Sequence, residues 1–543
     1  MAPSASVVER LERLAPDQRA AATAPPGPVL CVAPAGSGKT TTLVARIAWL
    51  VDGGTDPATI AAITFNKRAA EELEHRFDDA LAPLAVPSGA VRVRTFHALG
   101  REILASAGLP VEPLRDRDEV IREAVPSATA ATRRRLDTAI SRLKLDLRID
   151  PGAIASDPAA GPVALAWVAY ERVLRATGGL DFDDLVARSL ALLERDASVR
   201  EAWRRRCGHL LVDEAQDLDR SQLDLALVLA APANRIFLVG DDDQSIYGWR
   251  LADVRRVLGL AASLPGLRRV DLVTNYRCPV TVVDRAVRLV EHNTERFAKR
   301  IRARSGATGP LVLGADGRDE TERVRTLLLR WPSDGGTFAI LARTNRELLP
   351  AVAVAIALGR PFRCVGASLL VEDERLDAWL DEVTPDGPRA RPLLARLGAW
   401  RHKRSAADFG DALPAAVLSW GAAQRDLASL RGAIEETRRR LGSLRRDDAP
   451  LTLATVHGTK GLEWDHVAVL GMETGRFPSR RAVDESTEPP RALEEERRLA
   501  YVAWTRARRS LTLLYDPDVP SPFLLEAFEP AELQAAGSPS PAG

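Results

Sequence analysis

Residues 33–40 of the sequence, Ala-Pro-Ala-Gly-Ser-Gly-Lys-Thr, have the types and spacing of a phosphate-binding loop. Gly36 and Gly38 can adopt backbone angles that turn successive N–H groups toward an anion. Lys39 would reach the outer phosphates of a nucleotide, and the hydroxyl of Thr40 would hold Mg²⁺. The loop therefore predicts binding of a nucleoside triphosphate. The alternative is an ordinary glycine-rich turn with a solvent-facing lysine.

The segments on either side of this loop favour the first interpretation. Residues 29–32 are an apolar run that predicts a buried strand, and residues 41–50 have the periodicity of a helix. The positive end of such a helix would point at the same anion. Gln18, upstream of the strand, is an amide that could pair with an adenine edge, although a lone glutamine is also an ordinary surface residue.

Asp213 and Glu214 directly follow a second apolar run, residues 209–212. Two acidic side chains at the end of a buried strand are unfavourable unless they bind a cation or perform chemistry. We expect Asp213 to hold Mg²⁺ and Glu214 to orient and deprotonate an attacking water. The alternative is a helix N-terminus enriched in acids. It carries less weight because the chain also has a phosphate loop.

Residues 240–250 form another polar segment at the end of an apolar run. Gln244 within it can sense a γ-phosphate, and Tyr247 and Trp249 are aromatic residues a few positions later. Stacking of a base on an aromatic ring contributes ~1–3 kcal/mol. One loop would thus hold both a phosphate sensor and a base-stacking candidate. Such a loop could couple nucleotide hydrolysis to the binding of a nucleic-acid strand.

Two more strand candidates, residues 60–65 and 91–95, lead into Phe65 and Phe96. Open α/β sheets bind ligands at the carboxyl ends of their strands. Both rings could therefore stack on bases, and burial in the core is the alternative for each.

The strand candidates fall into two groups. Each group is interrupted by a long segment that lacks the short apolar runs typical of strands. These two segments, 98–179 and 373–449, have helical patterns rich in Ala, Arg and Leu, and their charge clusters are typical of solvated helix faces. We predict an α/β fold with two parallel sheets, each carrying a helical insertion. The predicted boundaries are 1–97, 98–179 and 180–270 for the first domain, 271–372, 373–449 and 450–523 for the second, and 524–543 for a disordered tail.

Length and composition limit the classes of protein to which the chain can belong. The chain has 543 residues, too many for one core, and its hydrophobic and charged fractions of 46% and 27% are those of a soluble globular protein. The net charge of +1 means that any nucleic-acid surface must be local. The four cysteines, Cys31, Cys207, Cys278 and Cys364, lack metal-ligand spacing and are typical of buried thiols in a reducing compartment.

No signal peptide is apparent at the N-terminus, and no stretch of 18 apolar residues is free of charge. We therefore expect a cytoplasmic protein with no membrane partner.

Taken in order, these segments resemble the motifs of superfamily 1 DNA helicases of the UvrD/Rep/PcrA type. The resemblance covers nearly the whole chain, with a second helical insertion shorter than in the best-known members. Each motif is weak alone, but so many in one order are specific. The matching residues are Gln18, 33–40, 64–65 with 69–70, 95–97, 213–217, 240–250, 275–277, 455–464 and 496–507.

The resemblance implies two RecA-like P-loop domains with ATP and Mg²⁺ bound between them. It implies that Tyr276 stacks on adenine, that Glu463 binds the ribose, and that Arg277 and Arg506 reach the γ-phosphate. Arginine fingers of this kind contribute about 10³–10⁵ in rate. With Lys39, Glu214 and Gln244 these arginines form the expected catalytic set. The expected ATP contacts are Gln18, Ala33, Pro34, Ala35, Gly36, Ser37, Gly38, Lys39, Thr40, Tyr276, Arg277, Glu463 and Arg506, and the expected Mg²⁺ ligands are Thr40 and Asp213.

The same resemblance implies an ATP-dependent 3′→5′ translocase and helicase acting in DNA repair, replication or recombination. Its partners would be single-stranded DNA, duplex DNA with a 3′ single-stranded tail, and a possible protein that loads it. The expected DNA contacts are Phe65, Thr95, His97, Tyr247, Trp249 and His457.

Two other classes of function remain open. One is a motor that moves along single strands and strips proteins without unwinding duplex. The other is a non-catalytic DNA-binding subunit, which would not need all six of the residues Lys39, Asp213, Glu214, Gln244, Arg277 and Arg506.

Overall fold

The computed structural model describes residues 4–157, 159–365, 369–405 and 413–537. The chain forms two compact units, Met1–Ala307 with Pro490–Tyr501, and Thr308–Pro489 with Val502–Gly543. None of the helices among the described residues combines the length and apolar character that a membrane span needs.

Short parallel strands form the centre of the first unit. They are β1 (Val29–Val32), β2 (Ile60–Thr64), β3 (Arg92–Thr95), β4 (His209–Val212), β5 (Ile236–Gly240), β6 (Arg268–Asp271), β7 (Thr274–Asn275) and β8 (Arg302–Ala303). The first six form one sheet in the order β3-β2-β4-β5-β1-β6, and β7 pairs with β8. β1, β2, β4 and β5 are buried at every position, as expected for apolar strands with helices on both faces.

Parallel pairing brings the carboxyl ends of these strands to one edge of the sheet. β1 lies between β5 and β6, with Leu30 opposite Leu238 and Arg269. The phosphate loop, the acidic pair and the 240–250 segment therefore all leave the sheet at this edge, where open α/β sheets bind ligands.

Helices connect the strands of the first unit. They are α1 (Ala5–Glu12), α2 (Pro16–Ala22), α3 (Lys39–Asp52), α4 (Lys67–Leu81), α5 (Phe96–Ser106), α6 (Arg117–Ala124), α7 (Ala130–Ser141), α8 (Pro151–Ala155), α9 (Pro162–Ala176), α10 (Phe182–Arg195), α11 (Ala197–Arg206), α12 (Arg220–Ala230), α13 (Val254–Leu258), α14 (Leu260–Ser263) and α15 (Val280–Val290). A π-helical turn, Arg142–Asp146, continues α7. The predicted insertion is helical, and its helices α6, α7 and α9 bury a small core of their own that includes Ile140, Trp167 and Tyr170.

The boundary predicted at 270/271 differs from the observed one, since the first unit extends to Ala307. The backbone N–H of Val273 donates to Asp17, and that of Tyr276 donates to the carbonyl of Gly36, 2.8 Å in each case. These contacts hold the segment after β6 against the phosphate loop. Because these contacts join residues far apart in the chain, the pattern of predicted strands did not indicate them.

The second unit has its own six-stranded parallel sheet. Its strands are β9 (Leu311–Ala315), β10 (Phe338–Ala342), β11 (Phe362–Val365), β12 (Leu451–Thr455), β13 (Trp464–Val469) and β14 (Ala507–Tyr515), in the order β11-β12-β10-β13-β14-β9. Its helices are α16 (Glu320–Arg330), α17 (Leu349–Ala357), α18 (Arg375–Asp381), α19 (Leu393–Ser405), α20 (Leu413–Gly421), α21 (Leu427–Leu444), α22 (Arg480–Asp484), α24 (Pro522–Ala527) and α25 (Pro530–Gly537), and α23 (Pro489–Trp504) carries residues of both units. The prediction of an α/β fold with two parallel sheets is confirmed.

The second helical insertion shares its core with this sheet. One continuous apolar cluster contains Leu376, Leu397 and Leu430 of the insertion together with Ile340 and Leu453 of the strands. A helical segment this short buries too little apolar surface to fold alone. It packs on the second sheet instead.

The prediction that residues 524–543 are disordered is wrong for most of that segment. α24 and α25 cover much of it, and Leu524, Ala527 and Phe528 are buried. Phe528 lies 6.2 Å from Trp504, ring centre to ring centre. The few apolar residues of the segment suffice because the unit offers a surface for them. Residues 538–543 lie outside the described part.

Candidate active site and nucleic-acid interface

The phosphate loop has the backbone that its glycines predict. Gly36 and Gly38 have φ of +67° and +84°, and α3 begins at Lys39. A Cβ on Gly36 would lie 2.7 Å from the Cβ of Arg277 and 2.8 Å from Oδ1 of Asn275. Glycine is therefore required here both for the left-handed backbone and for close packing against residues 275–277.

Gln18 is buried beside the loop. Its Nε2 donates to the carbonyl of Ser37 (2.8 Å), and its Oε1 accepts from the N–H of Ala15 (3.1 Å). Its amide thus supports the loop backbone, and contact with adenine remains a prediction. Among the described residues, the buried hydroxyl of Ser37 has no hydrogen-bond partner in the protein. A buried donor left unsatisfied is costly, and an anion in the loop would satisfy it.

Lys39 and Glu214 are far apart in sequence and adjacent in the structure. Nζ of Lys39 lies 3.5 Å from Oε2 of Glu214. The carboxylate of Asp213 accepts the backbone N–H of Glu214 at 2.9 Å. Glu214 has φ of +53°, and a non-glycine residue in this region stores about 1–3 kcal/mol of strain, typically at functional sites.

A chain of hydrogen bonds runs from Glu214 to Gln244. Nε2 of Gln216 donates to Oε2 of Glu214 (2.6 Å), and its Oε1 accepts the backbone N–H of Asp241 (3.0 Å). Oδ2 of Asp241 then accepts Nε2 of Gln244 (2.7 Å). Gln216 is fully buried. We did not single it out from the sequence, although its place two residues after Glu214 was a usable signal.

Lys299 is a second functional candidate that the sequence did not reveal. Its side chain is 0% exposed, and Nζ contacts the carboxylates of Asp241 (3.0 Å), Asp243 (2.9 Å) and Asp242. Burial opposes the charge of Lys299, but the three carboxylates outweigh burial and raise its pKa. The lysine thus neutralises the acidic segment that leads to Gln244. A lysine in an ordinary basic stretch gave no local signal of this role.

The donors for a divalent cation suit Mg²⁺, which prefers carboxylate, hydroxyl and phosphate oxygens. Asp213 offers a carboxylate at the end of β4, and Thr40 offers a hydroxyl in the first turn of α3. No group of three His, Cys, Asp or Glu side chains in the described ranges could hold a metal by itself.

Tyr276 and Arg277 belong to the same unit as the phosphate loop, although the sequence assigned them to the second domain. The predicted domain boundary therefore differs from the observed division at these two residues, and their contacts with the nucleotide stay predictions. The backbone N–H of Arg277 donates to Oδ1 of Asn275 (2.8 Å). Asn275 thereby fixes the turn that places Arg277 next to Gly36.

Three predicted site residues lie in the second unit. Glu463 accepts from Nε of Arg508 (2.8 Å). Arg506 is buried and donates to the carbonyls of Val502 (2.9 Å) and Leu462 (3.2 Å). Burial lowers the pKa of His457 to about 4, so its ring is neutral near pH 7.

Aromatic residues gather in a cavity of 590 Å³ in the first unit. The rings of Phe65 and Tyr247 stack at 5.0 Å, and Trp249 meets Tyr247 edge-on at 6.1 Å. Trp249 is 54% exposed. Thr95 and His97 also line this cavity. The structure thus brings together five of the six predicted DNA-contacting residues, all except His457. Phe96, by contrast, is buried in the core, so the prediction that its ring stacks on bases is wrong.

Two further residues of this cavity were missed. Phe182 is 56% exposed, and its ring stacks on His97 at 4.1 Å. The guanidinium of Arg250 lies 4.6 Å from the ring centre of Trp249. Burial lowers the pKa of His97 to about 4, which keeps it neutral in this stack. An aromatic residue between acids at the start of α10 was the available signal for Phe182.

Comparison with known proteins agrees with this arrangement. Residues 14–265 match the family model of the UvrD/REP helicase N-terminal domain, and residues 430–517 match that of the UvrD-like helicase C-terminal domain. The ATP-dependent DNA helicase Rep of Escherichia coli K12 is 29% identical, over 95% of this chain and 94% of its own length. DNA helicase II of the same organism is 28% identical, over 93% and 84%. The ATP-dependent DNA helicase UvrD1 of Mycobacterium tuberculosis H37Rv is 30% identical, over 92% and 82%. With both domain families matched in order and this coverage, the chain belongs to the UvrD/Rep helicase family.

Proposed function

We propose that this protein is an ATP-dependent DNA helicase and translocase that moves 3′→5′ on single-stranded DNA. One observation carries the proposal. The segment after β5 begins in the hydrogen-bond chain that reaches Glu214 and Lys39. It ends at Tyr247, which stacks on Phe65, and at Trp249, which lines the aromatic cavity. A change at the phosphate site can therefore alter the grip on a base within a single loop.

In this proposal the chain binds ATP with Mg²⁺ held by Thr40 and Asp213. When bound, the metal would neutralise charge that develops on the phosphates. Lys39 would contact the outer phosphates, and Glu214 would take a proton from the attacking water. Gln244 would sense the γ-phosphate, and Arg277 would stabilise charge in the transition state. By family resemblance we extend the proposal to Arg506 and to Glu463 at the ribose.

We propose that single-stranded DNA passes through the aromatic cavity, where bases stack on Phe65, Trp249 and Phe182. Every base has a π-face, so such stacking tolerates any sequence, and phosphate contacts make the affinity salt-dependent. His97 and Thr95 would line the path of the strand. The second-unit residue His457 joins the proposal by resemblance only.

ATPase and strand-displacement assays on defined DNA test the function. We expect single-stranded DNA to stimulate ATP hydrolysis, and duplex with a 3′ tail to be unwound in preference to duplex with a 5′ tail. Translocation without strand displacement would favour a motor that strips proteins. Absence of DNA-stimulated hydrolysis would overturn the proposal that the protein is a DNA motor, and it would favour a non-catalytic DNA-binding subunit. Preference for a 5′ tail would overturn the polarity.

Phe182→Ala should weaken binding of single-stranded DNA about 10-fold, since one lost base stack is worth ~1–3 kcal/mol. Fluorescence anisotropy with a labelled oligonucleotide measures the effect. The dependence of affinity on salt should stay unchanged, because no charge is removed. Leu165→Ala is a matched control, an equally exposed apolar residue of the same unit. Equal affinities for Phe182→Ala and the parent would exclude Phe182 from the path of the strand.

A further inference from the structure

The turn that carries the base-stacking residues is held by a distant carboxylate. Gly248–Arg250 is a single 3₁₀ turn, and the side chain of Tyr247 before it makes no capping hydrogen bond. The first N–H of the turn, that of Gly248, donates instead to Oε1 of Glu495 at 3.0 Å. Glu495 lies on α23, 247 residues further along the chain and within the same unit.

The identity of residue 248 reflects this contact. Gly248 is not among the residues with positive φ, so its backbone conformation does not call for glycine. A Cβ at this position would lie 2.4 Å from Oε2 of Glu495, and the three nearest atoms to it all belong to Glu495. Glycine is needed here because the carboxylate comes so close.

α23 also holds the opposite end of the same loop, through an intermediate segment. Oε1 of Glu494 accepts from the backbone N–H of Thr294 (2.8 Å) and from its hydroxyl (2.7 Å). Arg498 donates to the carbonyl of Glu295 at 2.7 Å. The next residue, Arg296, makes two hydrogen bonds to the carboxylate of Asp243, at 3.0 and 2.9 Å. A movement of α23 would therefore displace both ends of the 241–250 segment.

The helix itself continues beyond this unit. Its residues from Val502 onward belong to the second unit, and Arg506 follows two residues after the helix ends at Trp504. A helix is stiff along its axis because each turn is hydrogen-bonded to the next. The side chain that caps the stacking turn thus belongs to a helix whose last residues are part of the second unit.

We propose that Glu495 is a positioning residue that ties the base-stacking turn Gly248–Arg250 to α23, so that movement of this helix in the ATP cycle changes the grip of Trp249 on DNA. The inference rests on the proposed function, because it assumes that Trp249 binds DNA. The contact itself concerns only the turn and the helix.

Glu495→Ala is expected to lower the ratio of DNA-stimulated to DNA-independent ATPase at least fivefold, and to raise the single-stranded DNA concentration for half-maximal stimulation. Glu495→Gln should stay within twofold of the parent, since an amide oxygen also accepts the Gly248 N–H. Glu123→Ala, which removes an exposed carboxylate of the same unit, is the matched control. An Ala variant that behaves like the parent, or a Gln variant as defective as Ala, would overturn the proposal.

Gly248→Ala supplies a second test. It should show the same defect as Glu495→Ala, because the new Cβ would displace the carboxylate. The double variant Gly248→Ala/Glu495→Ala should be no worse than either single variant, since its Cβ no longer meets the carboxylate. Additive losses would contradict a direct contact.

Amide hydrogen exchange separates this inference from the proposed function. Exchange in a peptide covering 245–252 should be faster in Glu495→Ala and near the parent rate in Glu495→Gln, whether or not the protein hydrolyses ATP. Unchanged exchange in Glu495→Ala would overturn the positioning role. Absence of DNA-stimulated ATPase in the parent, together with faster exchange in the variant, would overturn the proposed function and leave the contact established.

Discussion

Glu214→Gln is expected to lower the rate of DNA-stimulated ATP hydrolysis by about 10²-fold or more, while ATP and DNA still bind. Glutamine has nearly the same shape as glutamate but cannot accept a proton from water. The carboxylate lies 3.5 Å from Nζ of Lys39 and accepts a hydrogen bond from Gln216. It is therefore beside the phosphate loop, where an attacking water would have to be oriented.

Steady-state ATPase with saturating single-stranded DNA measures this loss, and titration with a fluorescent ATP analogue measures binding. Glu201→Gln is the control, because it makes the same chemical change at an exposed glutamate of the same unit. If Glu214→Gln hydrolyses ATP at a near-normal rate, the assignment of Glu214 as the base is wrong. A loss of nucleotide binding in the variant would mean that Glu214 supports the phosphate loop and does not activate the attacking water.

Arg277→Ala is expected to lower kcat for ATP by about 10²–10³-fold, with a change of only a few-fold in the affinity for nucleotide. A charge that acts on the transition state affects the rate more than ground-state binding. Arg277 lies at the phosphate loop, since its Cβ would be 2.7 Å from a Cβ placed on Gly36. Its position depends on Asn275, whose Oδ1 accepts the backbone N–H of Arg277.

Single-turnover hydrolysis separates the two effects, because it reports the chemical step independently of nucleotide affinity. Arg277→Lys should recover part of the rate, since lysine keeps the charge and loses the planar fork of donors. Arg13→Ala removes an exposed arginine of the same unit and should match the parent. A normal rate in Arg277→Ala would leave Arg506 as the sole candidate for an arginine finger. A loss confined to affinity would show that Arg277 only binds the nucleotide.

The local chemistry of the site was readable from the sequence. A glycine-rich turn between an apolar strand and a helix has few solutions, so the loop at Gly36, Gly38 and Lys39 was predicted with its strand and helix. Short apolar runs that end in polar residues likewise predicted β4 and β5 and the polar segments after them. Parallel strands share an edge, so the sequence also indicated that these segments would converge.

Tertiary structure alone decided which residues support that chemistry. Lys299 among three aspartates, Phe182 on His97 and Glu495 on Gly248 are contacts between residues far apart in the chain, with no period or spacing to reveal them. The same holds for segment boundaries. Residues 271–307 join the first unit through contacts that include hydrogen bonds to Asp17 and Gly36 and the ion pairs of Lys299. The C-terminal helices form because Leu524 and Phe528 find a surface to bury against. Local sequence fixes backbone conformation and burial pattern, whereas a contact between distant residues depends on the geometry of the folded sheet, which lies outside any local window.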